Sequence, residues 1–483
     1  MRVKPVKRDR RPGRIVARAD DPGLTAYAGL AVSGELCRRL RLAELIDGQL
    51  GLERRARPVK RRRRGLPAGQ VLLSLAESQL VGGEFFDHLE DLRADGAGAP
   101  LRAVAATPSA PTVSQLARRF RRVHGQRVER ALAEAGERLD RALARDPAEP
   151  VTIDLDATQV TVYGRRKQGA GRSRHGSLSY APRAASWAER GRALTSELVG
   201  GNREKLSGAE CARIARRALA LLPAGHGEAT FRVDSAYYSL ELLEALRAEG
   251  ARFTVSLPRT QAMWKLLAEI PEDAWQEALE MEGAQVAETS STPAGWQAEP
   301  LRLIVRRCPF GAARIASGSV DARRRRTIPA EQLALALDGE VASVFGYSFI
   351  LADIPDQDAV TVERFHRHRA QIEERLKEAK LGQALRHLPS GNEDANRLWL
   401  AACLAALNLA ALCCDLCPAA GASGKAPDDA PLRRAAKTLR RLLFCVPARV
   451  VRTGRRLILR LPAGFRHADT FTQTLEAVYA LPP

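Results

Sequence analysis

The sequence predicts an α/β fold in which a mixed β-sheet is flanked by helices. Val151–Val162 is rich in β-branched residues in alternation with polar ones, which is typical of a strand. Further extended segments follow, and between residues 208 and 257 helical and strand patterns alternate. Strand character returns at Phe345–Ala352, before a long polar helix predicted from Val360 to Gly382. A run of strands followed by an alternation of strands and helices indicates a mixed sheet covered by helices.

The region before the sheet, residues 1–147, is predicted to be a basic arm followed by helices. The chain carries a net charge of +20, and residues 1–64 alone hold 19 basic and 7 acidic residues. This cluster includes the run Lys60, Arg61, Arg62, Arg63 and Arg64. A bias toward Arg codons would raise the total but would not cluster the charges. Because phosphate contacts release counterions and so strengthen binding, the clustering favours a nucleic-acid partner.

A second basic cluster is predicted to lie on a helix. Ser114 is a candidate N-cap, and the segment behind it carries four arginines around Leu116, Phe120 and Val123. The four are Arg118, Arg119, Arg121 and Arg122. A basic helix after a polar turn is what a helix-turn-helix unit inserts into a DNA groove. The alternative is a solvated helix face in a bundle, and the pattern alone does not separate the two.

The remaining chain is divided by changes of pattern. The sheet domain is predicted to occupy residues 148–257 and 344–420. Residues 258–343 interrupt its rhythm with three tryptophans, turn signals and one strand-like stretch, and they are interpreted as an inserted module. Residues 421–483 form a C-terminal region.

The cysteines and the apolar segments predict a cytoplasmic protein that does not span a membrane. Eight cysteines are scattered without regular pairing, and Cys414 and Cys417 lie in an apolar helical run, where packed core thiols are expected. The longest apolar run, Leu398–Cys414, has 17 residues, fewer than the ~20 needed to span a bilayer. The first 18 residues lack the apolar core of a secretory signal.

Three acidic positions are candidates for catalysis. Asp154 and Asp156 lie two residues apart on the first strand, so both side chains leave the same face. Asp234 ends a later strand. Acids at the ends of neighbouring strands can converge on a hard cation, which takes oxygen ligands. If these two strands are considered alone, the alternative is that the aspartates are solvated acids at strand ends with no catalytic role.

The polar helix carries the third acid. At about 100° per residue, four positions of this helix share one face. They are His366, Arg369, Glu373 and Lys380. A helical Glu with an Arg four residues earlier is ordinarily a surface ion pair. Its combination with both aspartate strands and a +20 chain favours a site.

At these residues the sequence resembles a large branch of bacterial insertion-sequence transposases of the DDE type. The spacing of His366, Arg369, Glu373 and Lys380 is similar to the signature Tyr-x2-Arg-x3-Glu-x6-Lys of that branch. Asp156-Ala-Thr158 resembles its Asp-x-Thr motif, and Arg232-Val-Asp234-Ser235 resembles its Arg-x-Asp-Ser. Residues 163–170 are similar to the loop that follows, and residues 200–202 to a Gly-Asn turn. The resemblance runs from about residue 24 to the C-terminus.

The resemblance implies an RNase H-like catalytic domain whose acids, Asp156, Asp234 and Glu373, hold two Mg²⁺ ions; Mn²⁺ is expected to substitute. The expected reaction cuts double-stranded DNA at the terminal inverted repeats of a transposon and joins the freed 3′-OH to target DNA. The enzyme is expected to work as a dimer on DNA. Arg369, Lys380 and His366, which replaces the signature Tyr, would contact phosphates. Two alternatives are a non-catalytic DNA-binding descendant and an RNase H-like nuclease without strand transfer.

The first acid has a competitor. Asp154 shares its face of the strand with Asp156, and a shift of two residues would move the ligand by ~6.6 Å. The Asp-x-Thr resemblance favours Asp156.

Overall fold

The computed structural model describes residues 15–50, 65–164, 166–203, 206–320, 322–418 and 434–482. The predicted basic run of Lys60, Arg61 and Arg62 lies outside these ranges. The strands of the described residues are β1 (Leu24–Thr25), β2 (Val151–Ala157), β3 (Val160–Thr161), β4 (Gly171–Arg172), β5 (Leu178–Tyr180), β6 (Arg183–Trp187), β7 (Arg192–Glu197), β8 (Ala229–Val233), β9 (Arg252–Leu257), β10 (Gln276–Glu277), β11 (Gln285–Ser291), β12 (Leu301–Gly311), β13 (Ser343–Ala352), β14 (Ala448–Thr453) and β15 (Arg456–Arg460).

The helices precede, separate and follow these strands. They are α1 (Leu30–Arg39), α2 (Leu42–Leu50), α3 (Ala68–Leu80), α4 (Leu89–Ala94), α5 (Ala110–Ala117), α6 (Arg122–Ala142), α7 (Gly208–Leu219), α8 (Leu240–Ala248), α9 (Gln261–Ala268), α10 (Ala312–Ala316), α11 (Ala322–Arg325), α12 (Ala330–Asp338), α13 (Ala359–Arg367), α14 (Ala370–Lys377), α15 (Glu393–Leu416), α16 (Ala436–Leu439) and α17 (Ala468–Ala480). Single π-helical turns occur at Glu378–Gly382 and Arg440–Phe444.

The predicted mixed sheet is confirmed. Within the described residues it has nine strands in the order β10-β11-β12-β13-β9-β8-β2-β6-β7. β8 runs parallel to β2 and to β9, whereas β6 and β7 are antiparallel additions on the other side of β2. Val151, Ile153 and Leu155 of β2 are almost fully buried, as their alternation in the sequence indicated. β2 is therefore an interior strand, and its C-terminal end lies beside that of β8.

The segment between β9 and β13 extends the same sheet. β11, β12 and β13 pair antiparallel, and β13 pairs with β9, so the inserted residues continue the hydrogen-bonded ladder. Beyond the ends of β12 and β13 a small core packs around Ile315, Val320 and Ile328. The sequence indicated turns and one strand here but did not predict that the strands would join the central sheet.

The N-terminal and C-terminal helices form one layer with a common core. α3 and α6 pack on α15, and their buried side chains form one hydrophobic cluster with those of α1, α2 and α17. In the described part of the chain, α15 is the one helix long and apolar enough to cross a membrane by length and composition. However, 83% of its most apolar stretch is buried inside the protein. Its hydrophobicity is accounted for by packing.

The two ends of the described chain meet in a small sheet. β1 pairs with β14, and β14 forms a hairpin with β15. Arg449 of β14 forms an ion pair with Asp21, which precedes β1. The helical region before the sheet and the region after residue 434 thus belong to one structural unit.

A buried carboxyl lies inside this helical layer. Glu77 of α3 is fully buried; its Oε1 accepts a hydrogen bond of 2.7 Å from the Ala103 N–H, while its Oε2 has no partner in the described part of the chain. Burial raises the pKa of Glu77 from 4.5 to about 7. Below pH 4.5 the group is protonated in both the folded and unfolded states. Between pH 4.5 and about 7 the unfolded chain releases this proton while the folded protein keeps it, so stability falls across that window and the loss is complete once pH has passed about 7.

We therefore expect the stability of Glu77→Gln relative to the wild type to rise from pH 4.5 to about 7 and to level off above that. Gln keeps the acceptor for Ala103 and never ionises. Two pKa values of 4.5 and about 7 correspond to about 3 kcal/mol of pH-dependent stability. Urea unfolding of both proteins across this pH range measures the difference. A difference that stays constant with pH would contradict the assignment.

Candidate active site

Two of the three candidate acids emerge side by side from the sheet. Leu155 of β2 is the parallel partner of Val233 of β8, so Asp156 and Asp234 are the next residues along on neighbouring strands. In each, the Oδ1 atom accepts a hydrogen bond from the backbone N–H of the following residue, at 2.7 Å from Ala157 and 2.8 Å from Ser235. These bonds fix both carboxylates at one edge of the sheet.

The third acid comes from a helix that is broken, not continuous. The sequence predicted one helix from Val360 to Gly382, whereas α13 ends at Arg367 and α14 begins at Ala370. Across the break the backbone bonds are of the tighter i to i−3 kind, for example from the Arg369 N–H to the His366 carbonyl at 2.9 Å. Arg369 occupies the N-cap position of α14, and Glu373 lies one turn further on.

The three carboxylates converge on one guanidinium. Nη1 of Arg369 lies 3.8 Å from Oδ2 of Asp156, and its Nη2 lies 3.9 Å from Oδ1 of Asp234 and 3.8 Å from Oε1 of Glu373. The side chains of Arg369 and Asp156 are 16% and 17% exposed, and that of Glu373 is 65% exposed. All three distances exceed the 2.7–3.2 Å of a hydrogen bond, so the contacts are ion pairs only.

The electrostatics of this group show an excess of negative charge. The pKa of Asp156 is raised to about 6: burial is the main cause and the charges of Asp234 and Glu373 add to it, while the Ala157 N–H and Arg369 oppose the shift. One guanidinium faces three carboxylates. The ionised form of a partly buried carboxylate beside two others is stabilised when further positive charge lies nearby.

The donor set fits a hard divalent cation. Carboxylate oxygens are the ligands that Mg²⁺ takes in phosphate-processing sites. As the side chains stand, no cluster of three or more His, Cys, Asp or Glu among the described residues has the spacing of a metal centre. The three carboxylates instead surround Arg369. None of them is hydrogen-bonded to that guanidinium, so their carboxylate oxygens keep the capacity to bind a cation.

Asp154, the competitor for the first position, is engaged elsewhere. Its carboxylate accepts two hydrogen bonds from Arg232, 2.7 Å from Nε to Oδ1 and 2.8 Å from Nη2 to Oδ2. Both side chains are almost fully buried, at 2% and 4% exposure. Arg232 also donates to the carbonyl of Phe365 at 3.1 Å and lies over its ring. The pair joins β2, β8 and the end of α13, directly beneath the three carboxylates.

The structure contradicts the predicted phosphate contact of His366. The residue is 5% exposed, and both ring nitrogens lie 2.8 Å from hydroxyl groups, Nδ1 from Thr254 and Nε2 from Ser256. Burial, with a smaller contribution from neighbouring arginines, lowers the pKa of His366 to about 3. A neutral ring with both nitrogens in use fastens α13 to β9 and offers nothing to a phosphate.

Lys380 joins the helix to the first strand. It lies in the π-helical turn after α14, and its Nζ donates to Oγ1 of Thr158 at 3.2 Å and to the carbonyl of Gln159 at 3.1 Å. Lys380 and Thr158 line the same cleft as the three carboxylates. The cleft has a volume of about 1520 Å³, and Arg172 and Arg174 also line it. A wide, open groove lined by both acids and cations can admit a nucleic-acid strand.

The arginine-rich segment after Ser114 is not the helix that the sequence predicted. α5 begins at Ala110 and ends at Ala117, so Ser114 lies inside it and the N-cap position is Ser109. The arginines occupy the turn before α6, around the buried Phe120, and Arg122 opens α6. All four are exposed, but two are bound to the protein itself: Arg121 to Asp394, and Arg122 to Glu197 at 2.6 Å. No ion pair between Arg118 or Arg119 and another described residue is present.

Two side chains near the carboxylates were given no role from the sequence, although Arg232 is part of the Arg-x-Asp-Ser resemblance. Arg232 had a detectable signal, because its spacing from Asp234 equals that of Asp154 from Asp156, and parallel strands in register bring such positions together. Tyr237 had none. It is 2% exposed, it lines the cleft, and its hydroxyl has no hydrogen-bond partner in the described residues.

Comparison with known proteins gives one family match. The family model described as transposase DDE domain group 1 matches residues 9–483. No curated protein matches the chain. Among solved structures, the chain is similar to piggyBac transposase in a synaptic complex with hairpin DNA, determined by cryo-EM. The sequence identity is 10% and the TM-score 0.36, over 86% of this chain and 80% of that one.

Proposed function

The chain belongs to the transposase DDE domain group 1 family, and from this premise we propose that Asp156, Asp234 and Glu373 are its catalytic acids. The protein is a DNA transposase of the DDE type, an enzyme class that cuts and joins DNA strands with divalent metal ions. The observation that carries the assignment is the convergence of three carboxylates, from β2, β8 and α14, on Arg369.

We propose that these acids hold two Mg²⁺ ions, for which Mn²⁺ can substitute. Bound ions of this kind stabilise the charge on the attacking and leaving oxygens of a phosphoryl transfer. The protein's own groups orient the acids: backbone N–H groups hold Asp156 and Asp234, and the break before α14 directs Glu373 toward them. Arg369 is the cation nearest to the three acids and is proposed to contact the scissile phosphate. Lys380 is proposed to contact the flanking strand from its position beside Thr158.

We also propose an RNase H-like catalytic domain of the insertion-sequence branch with the Tyr-x2-Arg-x3-Glu-x6-Lys signature. The order β7-β6-β2-β8-β9, with β6 and β7 antiparallel to a parallel core, supports the RNase H-like part of the proposal. The bacterial origin and the dimer on DNA are inferred from the resemblance of the motifs, and the place of action in the cytoplasm is inferred from the unpaired pattern of the cysteines.

The proposed DNA substrates are the terminal inverted repeats of the element and a target duplex. Arg118 and Arg119 are exposed and unpaired within the described residues, so they are available to DNA phosphates. The basic run at Lys60, Arg61 and Arg62 is proposed to contribute to the same task. Arg122 contributes less, because Glu197 already holds its guanidinium.

The function can be tested in a reaction of the purified protein with Mg²⁺. The reaction also contains a plasmid that carries the element's ends and a separate target plasmid. We expect cleavage at the ends, products with free 3′-OH groups, and covalent joining of those products to the target. Removal of Mg²⁺ by a chelator should stop both steps, and Mn²⁺ should restore them. Cleavage without joining would identify a nuclease, and binding without cleavage would identify an inactive descendant.

A further inference from the structure

A second groove opens beside the carboxylate cleft. It shares Asp234 and Ser235 with that cleft and continues past the end of β9 between α13 and β12. Its volume is about 260 Å³, whereas about 10–15 Å³ is enough to hold one water molecule, so it is an open channel and not a packing defect. Four arginines line it, and we call it the arginine groove: Arg259, Arg306, Arg367 and Arg369.

The positive charge of this groove is only partly neutralised. Glu363, fully buried under the floor, accepts hydrogen bonds from Arg306 and Arg367. Arg369 faces the three carboxylates of the candidate active site. Two of the four arginines therefore share one carboxylate, and the Nε–H of Arg306 is buried without an acceptor in the described residues.

Arg259 has no acidic partner at all within the described residues. Its Nε donates to the carbonyl of Tyr347 at 2.9 Å, which uses one of the five N–H donors of the guanidinium. Partial burial lowers the pKa of Arg259, and the neighbouring charge of Arg306 lowers it further. Two guanidinium groups that repel each other at the edge of a groove are stabilised when an anion lies between them.

We propose that the arginine groove binds the phosphate next to the scissile phosphate on the DNA strand that is cut, and that Arg259 contacts it. This inference rests on the proposed function, because a strand whose scissile phosphate lies against Asp156, Asp234 and Glu373 must leave the cleft on one side. The groove begins at Asp234 and Ser235, and it offers that strand a positively charged path. Arg259 is thus a substrate-positioning residue that the motifs do not include.

The test uses full-length protein and duplexes that span the junction between the element and its flank. In each duplex one phosphate near the cut is replaced by a neutral methylphosphonate. With the wild type, one such replacement should slow cleavage about 10- to 100-fold, the effect of losing a hydrogen bond between charged groups. Arg259→Ala should slow cleavage of unmodified DNA by a similar factor. In the Arg259→Ala variant the same methylphosphonate should not slow cleavage any further.

Arg252→Ala is the matched control, because it removes the arginine that begins β9, away from the groove, where Glu228 is its partner at 3.0 Å. It should leave the methylphosphonate profile unchanged, and Arg259→Lys should restore part of the loss. Dissociation constants of the same duplexes report the contact even without cleavage.

Two results would overturn the proposal. One is that the rate losses from Arg259→Ala and from the methylphosphonate multiply at every position; the other is that Arg259→Ala shows the same methylphosphonate profile as the wild type. The Glu373→Gln variant tests the proposed function separately: it should stop cleavage whether or not Arg259 contacts the DNA.

Discussion

The Glu373→Gln variant is expected to bind transposon ends like the wild type and to cut them about a thousandfold more slowly, or not at all. Gln keeps the size and one oxygen of Glu but removes the charge that, with Asp156 and Asp234, would hold the metal ions. Metal ions supply several kcal/mol of charge stabilisation in such reactions, and each 1.36 kcal/mol is about tenfold in rate. Binding should persist because contacts to DNA phosphates come mostly from basic side chains.

Single-turnover cleavage and gel-shift binding of the same duplex measure the two effects. Glu374→Gln is the control: it removes a carboxylate from the next position of α14, where Glu374 is exposed and paired with Lys377 at 3.2 Å. This variant should cut at close to the wild-type rate. Nicking of the end by Glu373→Gln at an undiminished rate would remove Glu373 from the site.

Asp154→Ala is expected to lower the stability of the whole protein by about 3–5 kcal/mol. It would leave the guanidinium of Arg232 buried without its carboxylate, and removal of one partner from a buried ion pair costs about that much. Stabilities of whole domains are only about 5–15 kcal/mol, so the loss should be plain in urea unfolding. Asp156→Ala should cause no such loss, since Asp156 lacks a hydrogen-bonded partner among the described side chains and its burial as an anion is unfavourable.

The double variant Asp154→Leu with Arg232→Met separates packing from charge. Replacing both members of a buried pair with apolar residues of similar volume is often neutral, so this protein should regain much of the stability that Asp154→Ala loses. The comparison also decides which aspartate is the first catalytic acid. An Asp154→Ala protein that is fully stable but unable to cut DNA, together with an active Asp156→Ala, would reverse our assignment.

Asp154 and Asp156 show which features of the site can be predicted from the sequence and which cannot. Alternation within β2 indicated that Asp154 and Asp156 share a face, because that information is local. It did not separate them, because the difference depends on the register between β2 and β8, which puts Arg232 opposite Asp154 and nothing basic opposite Asp156. Pairing between strands that lie 78 residues apart is not visible in the spacing of either strand alone.

The helical predictions failed for a similar reason. Periodicity predicted one helix around Glu373 and one after Ser114, and each is interrupted by a turn. At Arg121 and Arg122 the turn is held by acids from α15 and β7, and at His366 by hydroxyl groups of β9. The same tertiary contacts bury His366, which by composition alone could have been a phosphate ligand. Local propensity is a weak guide wherever such distant partners determine the backbone.

The joining of β1 to β14 has a consequence for synthesis on the ribosome. Asp21 and its partner Arg449 are 428 residues apart in the chain. At about 5–20 residues per second, roughly 20–90 s pass before the second of them is made. During that interval the first strand and the helices after it lack α15 and the C-terminal hairpin, which complete their core. A chain whose translation stops early therefore exposes apolar surface and is a substrate for chaperones and proteases, so incomplete copies do not accumulate as folded DNA-binding fragments.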